Sequence, residues 1–366
     1  MAEKGYLKLE NGQILEGDSI GSSTEVAGEV VFSTGMVGYP EGLTDPSYYG
    51  QILVQTYPLI GNYGVPKETK ANNLTEKFES DRIQIRGLIV SEYVDNRTHY
   101  EAGQTLKDWL VKYKIPCLSG IDTRSLTKTL RDKGVMKGII TFSQTPIKSG
   151  FFIDINRENL VPFVSTAKQQ IYGNGKIKVL FIDCGLKENQ IRLMLKYNTT
   201  VIRVPWNYNP FLDKKSPLFD TVFISNGPGD ARKMPETIET IKQAFSRKIP
   251  TFGICLGHQV MALAAGAEIF KLKYGHRGQN QPVMEVESSK SFITSQNHGY
   301  SVVEKTIPAD WQVWFVNLND GTNEGIRHKN LPFFCVQFHP EANPGPTDTE
   351  WFFDYYFEKV KQWLKI

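Results

Sequence analysis

The sequence predicts an α/β protein: a mixed N-terminal domain, then a C-terminal domain whose largely parallel sheet is flanked by helices. Three observations carry this expectation. From Lys178 onward, short apolar runs alternate with helical stretches in the order β-α-β-α-β, which implies parallel strands with helices on both faces. Before residue 150 the apolar runs are broken repeatedly by Gly and Pro, as in Thr34-Gly35-Met36-Val37-Gly38-Tyr39-Pro40. Between them, residues 151–176 lose periodicity and end in Gly173-Asn174-Gly175, which reads as a linker. The expected domains are therefore 1–150 and 177–366, joined by 151–176.

In the first domain, Tyr6 to Glu10 and Gln13 to Glu16 flank Asn11-Gly12, a two-residue hairpin signal. Further strands are expected at Gly28 to Phe32, Gln51 to Thr56 and Arg86 to Val90. Helices are expected at Thr105 to Lys112 and Thr123 to Asp132, the second capped by Asp122. No catalytic pattern stands out here, so the residues by themselves suggest a structural or partner-binding domain. In the second domain, strands are expected at Val179 to Ile182, Val201 to Val204, Thr221 to Ser225, Ile249 to Ile254, Ala267 to Leu272, Ser291 to Ser295 and Phe333 to Gln337. Helices are expected at Glu188 to Lys196, Pro235 to Arg247, after Cys255, and Thr349 to Leu364.

Composition narrows the class. The 366 residues suffice for two domains with their own cores. A net charge of +3 is too small to argue for nucleic acid or a membrane surface. The four cysteines, Cys117, Cys184, Cys255 and Cys335, are widely spaced without a C-x-x-C pair, so neither a disulfide framework nor a zinc ribbon is suggested and no metal site is expected. No apolar run approaches 18 residues, and the first residues lack a signal-peptide core. A cytoplasmic location is the expectation.

One stretch carries chemistry. Thr251-Phe252-Gly253-Ile254-Cys255-Leu256-Gly257-His258-Gln259 reads as strand, sharp turn and helix with a thiol at the apex, the cysteine counterpart of a nucleophile elbow. Glycines two residues on either side let the backbone turn tightly, and a helix starting at the sulfur favours thiolate over thiol. From the elbow alone, a buried structural cysteine is the alternative. A cysteine nucleophile needs a base and an orienting group. Of six histidines, His258 falls inside the helix and is expected to point away from the sulfur. His339, in Gln337-Phe338-His339-Pro340-Glu341, ends a strand, and Glu341 lies on its side if the segment is extended. Leu256 N–H supplies one oxyanion donor by elbow geometry, and Gly227, in Asn226-Gly227-Pro228-Gly229-Asp230, is the candidate for the other.

Taken together, Ser225 to Asp230, Gly253 to Gln259 and His339-Pro340-Glu341 resemble the class I glutamine amidotransferases. Thr34 to Tyr39, Leu43 to Tyr48, Gly120 to Arg124 and Thr294 to Tyr300 resemble, more narrowly, the glutaminase small subunit or domain of carbamoyl-phosphate synthetase. The resemblance covers nearly the whole chain. Tyr57 to Gly64 and Arg277 to Pro282 look most like the enzymes of eukaryotic pyrimidine synthesis, with the arginine route as the alternative. It implies that Cys255 attacks the amide of L-glutamine, that His339 held by Glu341 moves the proton, and that a γ-glutamyl thioester is hydrolysed. Gly227 and Leu256 would form the oxyanion hole. Ser47, Gly229, Gln259, Asn297, Gly299 and Tyr300 match positions that hold glutamine, Ser47 from the N-terminal domain. Ammonia would pass to a large subunit or fused synthetase domain, to which ATP and Mg belong; no cofactor is expected in this chain. Ala231, where the family commonly has proline, and Tyr300, where phenylalanine is common, depart from the pattern without touching the proposed triad.

Three other readings differ in class. A non-catalytic scaffold would lack the cysteine. A cysteine peptidase or γ-glutamyl hydrolase would share the elbow but not the N-terminal domain. A nucleotide-binding Rossmann enzyme would need its glycines after a strand, whereas Gly173-Asn174-Gly175 precedes one.

Overall fold

The computed structural model describes residues 3–95, 97–145 and 151–366. The chain forms two compact units, Met1–Arg157 and Glu158–Ile366.

In the first unit, seven strands close into a barrel in the order Lys4–Leu9, Met136–Thr141, Val26–Ser33, Gln51–Gln55, Gly87–Ile89, Cys117–Ser119 and Ile14–Ser19. Leu7, Val30, Ile52, Val54, Leu118 and Ile140 are fully buried. The first two strands pair Lys8 with Ile14, so the connecting loop has three residues rather than two. Gly12, at φ 88°, takes the left-handed position that such a loop requires. Helices Leu106–Lys112 and Thr123–Lys133 are capped by Thr105 and Asp122, whose side chains accept from the N–H groups of Asp108 and Ser125. Barrel closure was not legible in the sequence, because it depends on pairing strands more than a hundred residues apart.

The second unit is built on a ten-stranded sheet. Its parallel centre runs Thr199–Pro205, Ile177–Asp183, Thr221–Ile224, Thr251–Ile254 and Phe333–Val336. The inner four of these strands are buried along nearly their whole length, as expected for a sheet covered on both faces, whereas Thr199–Pro205, nearer the edge, alternates buried and partly exposed residues. Alternate side chains divide between two cores. Leu180, Ile182, Val222, Ile224 and Cys335 join one with Val260 and Met261. On the other face, Phe181, Phe223, Phe252 and Phe334 form an aromatic layer against Phe352 and Tyr356 of the closing helix Trp351–Leu364.

Two expectations are corrected here. Residues 158–176 do not behave as a bare linker: Val161 enters the core, Thr166 N–H donates to Asp183 Oδ2 at 2.7 Å, and Gln170–Tyr172 pairs antiparallel with Thr199–Pro205 at the sheet edge. Too few apolar anchors mark this stretch for periodicity to reveal it. The strands expected at 267–272 and 291–295 are much longer, Ile269–Glu285 and Ser291–Val302, and pair as one antiparallel ribbon. Their mixed polar composition hid that length. Strands Trp311–Asn317 and Asn323–His328 had not been anticipated either.

Phe252 is fully buried, with ring centroids 4.4 to 5.1 Å from Phe352, Phe334, Tyr356 and Phe223. Phe252→Ala is expected to destabilise the second unit by about 3–5 kcal/mol, read as a lower midpoint in chemical denaturation.

Candidate active site

The chain runs outward through Ile177–Asp183 to Thr199–Pro205, then reverses to Thr221–Ile224 and Thr251–Ile254. Loops at the carboxyl ends beside such a reversal are where ligands bind in open α/β sheets. Both the Gly227 loop and Cys255 lie there.

Cys255 occupies φ 55°, ψ −102°, a conformation that a residue with a side chain adopts only under constraint. The constraint is close packing of backbone. A Cβ on Gly253 would lie 2.6 Å from the Gly257 carbonyl group, and one on Gly257 would lie 2.3 Å from Ile224 O. A Cβ on Gly227 would overlap Cys184 O at 1.9 Å and touch Leu256 Cδ2 at 2.9 Å. The strand end, the turn and the neighbouring loop therefore interlock only with glycine at these positions. Cys255 N–H donates to Val336 O at 2.8 Å, and its carbonyl accepts from Gln259 N–H at 3.2 Å as helix Leu256–Ala265 begins.

The same pairing brings in His339. Ile254 lies beside Val336, so the elbow and the segment leading to His339 leave the sheet together. His339 N–H is fixed on Ser295 O at 2.9 Å. The segment is not extended: Ala342 N–H closes a turn on His339 O at 3.1 Å, and His339 Nδ1 meets Glu341 Oε1 at 2.7 Å. His339 Nε2 is buried, and the Cys255 sulfur lies close enough to the ring to favour its protonated form. Cys255 Sγ itself lies 3.7 Å from Asn297 O.

Two residues that sequence reasoning missed, Lys187 and Gln190, support Glu341. Lys187 Nζ lies 3.7 Å from Glu341 Oε1 with both side chains buried, and it donates to Ala342 O. Gln190 Nε2 donates to Glu341 Oε1 at 3.1 Å and to Asn226 Oδ1 at 3.0 Å, which also accepts from Lys187 N–H. Lys187 and Gln190 open the helix after Ile177–Asp183, and only their buried polarity could have marked them. Burial penalises the charge on Glu341, yet His339 and Lys187 outweigh it and hold its carboxyl down to about 2. Burial likewise opposes protonation of His339, but Glu341 and the Cys255 sulfur push it up to about 10.

The remaining candidates have mixed placements. Gln259 is buried, its Nε2 donating to Tyr300 O at 3.2 Å and Gln337 Oε1 at 3.1 Å. Asn297, Gly299 and Tyr300 follow one another on Ser291–Val302, and the Arg232 guanidinium lies 5.6 Å from the Tyr300 ring centre. Gly229, at φ 87°, faces Leu160. Ser47 belongs to the first unit, in the turn Pro46–Tyr48, with its N–H on Asp45 Oδ1 at 2.9 Å. His258 contacts Cys335 Sγ through Nδ1 at 3.2 Å, and burial holds its pKa down to about 3. It is thus committed to the core beneath the elbow. Among the described residues, no helix is long and apolar enough to cross a membrane.

The folded-state pKa of His339 lies above its ordinary 6.5, so its share of stability is complete below that pH and lost as pH rises through about 10. Glu341 lies below its ordinary 4.5, so its share is present above that pH and lost as pH falls toward about 2. In Glu341→Gln the carboxylate is gone, and the His339 imidazole is expected to titrate at least about one unit lower. Imidazole chemical shifts followed by NMR across pH 5–11 check this; an unmoved His339 titration would show that the carboxylate does not hold the proton.

Comparison with known proteins follows the same division. A model of the class-I glutamine amidotransferases matches residues 180–359, and one of the carbamoyl-phosphate synthase small chain, CPSase domain, matches residues 7–140. The carbamoyl phosphate synthase small chain of Pyrococcus furiosus is 45% identical over 359 residues, covering 96% of each chain. Multifunctional protein CAD of Squalus acanthias is 47% identical over 96% of this chain, which spans 16% of that protein. The human mitochondrial carbamoyl-phosphate synthase [ammonia] is 44% identical over 99% of this chain, which spans 24% of it. Matched in both parts and along nearly the whole Pyrococcus furiosus protein, the chain belongs to the carbamoyl-phosphate synthase small-chain family, with a class I glutamine amidotransferase as its C-terminal part.

Proposed function

We propose that the chain hydrolyses L-glutamine through Cys255, His339 and Glu341 and delivers the ammonia to a carbamoyl-phosphate synthetase, as a separate large subunit or a fused domain. The observation that carries this reading is the strained Cys255 backbone beside the buried His339–Glu341 pair. The Cys255 sulfur attacks the side-chain amide carbon, and N–H groups of Gly227 and Leu256 receive the developing oxyanion. Collapse of the intermediate breaks the C–N bond, and His339 gives its proton to the departing ammonia. Water then attacks the γ-glutamyl thioester, giving one proton back to His339 and keeping the other on the new carboxyl group; the C–S bond breaks, Cys255 leaves as the thiolate, and the carboxyl proton is lost to the ammonia or solvent, leaving glutamate. Glu341, itself anchored by Lys187 and Gln190, keeps the imidazole oriented throughout.

Glutamine would be held by Gly229, Gln259, Asn297, Gly299 and Tyr300, and by Ser47, whose role is inferred by resemblance alone. Gln259 Nε2 is tied to the protein, and its Oε1 is buried with no hydrogen-bond partner, so Oε1 is the atom this residue would offer. Carbamoyl phosphate made by the synthetase would enter pyrimidine synthesis, with arginine synthesis as the alternative. ATP and Mg would serve the synthetase rather than this chain.

One relative 44% identical to this chain carries ammonia in its name. Family membership alone therefore leaves the nitrogen donor open, and the intact elbow and histidine pair favour glutamine.

With a synthetase partner, Cys255→Ser is expected to lower glutamine-dependent carbamoyl phosphate synthesis by more than about 10³-fold, while synthesis from free ammonia persists. Retained glutamine use would overturn the proposal. Ser47→Ala is expected to raise KM for glutamine more than it lowers kcat, measured as glutamate release.

A further inference from the structure

A second cluster of polar groups lies buried in the antiparallel half of the sheet. His276 on Ile269–Glu285, His298 on Ser291–Val302 and Glu324 on Asn323–His328 each offer one ligand atom, all within 4.8 Å of one another. All three are more than nine-tenths buried.

Their outer contacts are those of metal-binding imidazoles. His276 places Nε2 on Asp320 Oδ2 at 2.9 Å, leaving Nδ1 3.4 Å from Glu324 Oε1. His298 places Nδ1 on Tyr300 O at 2.8 Å, leaving Nε2 4.0 Å from the same carboxylate oxygen. A ring nitrogen tied to a carboxylate or backbone carbonyl, with the other turned toward a shared anionic oxygen, is the arrangement in which a histidine's far nitrogen ligates a metal.

Two groups remain unsatisfied without an ion. Glu324 Oε2 is buried and has no hydrogen-bond partner. A neutral His298 that donates from Nδ1 to Tyr300 O turns the lone pair of Nε2 toward Gln296 Oε1, a second acceptor 3.2 Å away. A cation between these atoms resolves both mismatches at once.

We infer that His276 Nδ1, His298 Nε2 and the Glu324 carboxylate form a structural divalent-metal site of the zinc type. Zinc bonds of about 2.0–2.2 Å place tetrahedral ligands about 3.3 Å apart. The His276–Glu324 separation of 3.4 Å already meets that spacing, and the His298–Glu324 separation of 4.0 Å needs a modest closing. Gln296 Oε1 or water completes the fourth position. The ion would fasten three strands together directly behind Asn297, whose carbonyl faces the Cys255 sulfur.

The test uses the full chain as Cys255→Ser, which removes the rival thiol ligand of the neighbouring site. After chelator treatment it is titrated with Zn²⁺ against a chromophoric chelator, and Co²⁺ is added in a parallel sample. One equivalent bound, a four-coordinate Co²⁺ spectrum without thiolate charge transfer, and a rise in Tm with Zn²⁺ are expected. Adding Glu324→Gln or His276→Gln should weaken binding more than about tenfold and abolish the Tm rise. X-ray absorption of the zinc-loaded Cys255→Ser chain should show imidazole and oxygen scatterers, and this measurement stands even if the added substitutions prevent folding. No stoichiometric binding, scatterers other than imidazole and oxygen, or binding unchanged in folded Glu324→Gln protein would overturn the site and leave a hydrogen-bonded cluster only.

Discussion

The constraint on which the second unit depends is the backbone of Cys255. A residue with a side chain held at φ 55°, ψ −102° stores about 1–3 kcal/mol of strain, which the surrounding packing must offset. Gly253 lies against Gly257, Gly257 against Ile224, and Gly227 against Cys184, each too close to admit even a methyl group. Beneath this turn lie His258 and Cys335 on one side and the phenylalanine layer on the other. The thiol is thus presented at a strand end by the full burial of the strand behind it.

Electrostatics build outward from that turn in a short series. The Cys255 sulfur acts on His339, His339 holds Glu341, and Glu341 holds Lys187. Each charge is buried, and an isolated one would be expensive at that depth. Each is therefore matched to the next and completed by neutral donors, Gln190 for the carboxylate and Asn226 behind it. The arrangement keeps an imidazolium and a carboxylate ionised together across the neutral range, where either alone under the same burial would tend to discharge.

Much of this was legible in the sequence, and for local reasons. The parallel strands announce themselves as apolar runs, the elbow as two glycines around a cysteine, and the cap of the second helix as Asp122. The histidine and its carboxylate lie two residues apart. What stayed hidden is held together by distant parts of the chain. Lys187 and Gln190 meet Glu341 across some 150 positions. The long ribbon is polar on much of its surface, and the barrel closes through pairs that no local pattern encodes. His276, His298 and Glu324 sit on three separate strands with no ligand spacing to read. His339 and Glu341 meet through a turn rather than through an extended segment, because the chain there closes on itself through Ala342.

The first unit's barrel carries a consequence for assembly. Its seven strands form a closed ring, so the backbone N–H and C=O groups that an open sheet would offer at its rim are already engaged. A partner cannot dock there by extending the sheet with a strand of its own. Recognition at the barrel wall must be written in side chains and connecting loops, which can change residue by residue without disturbing the framework beneath.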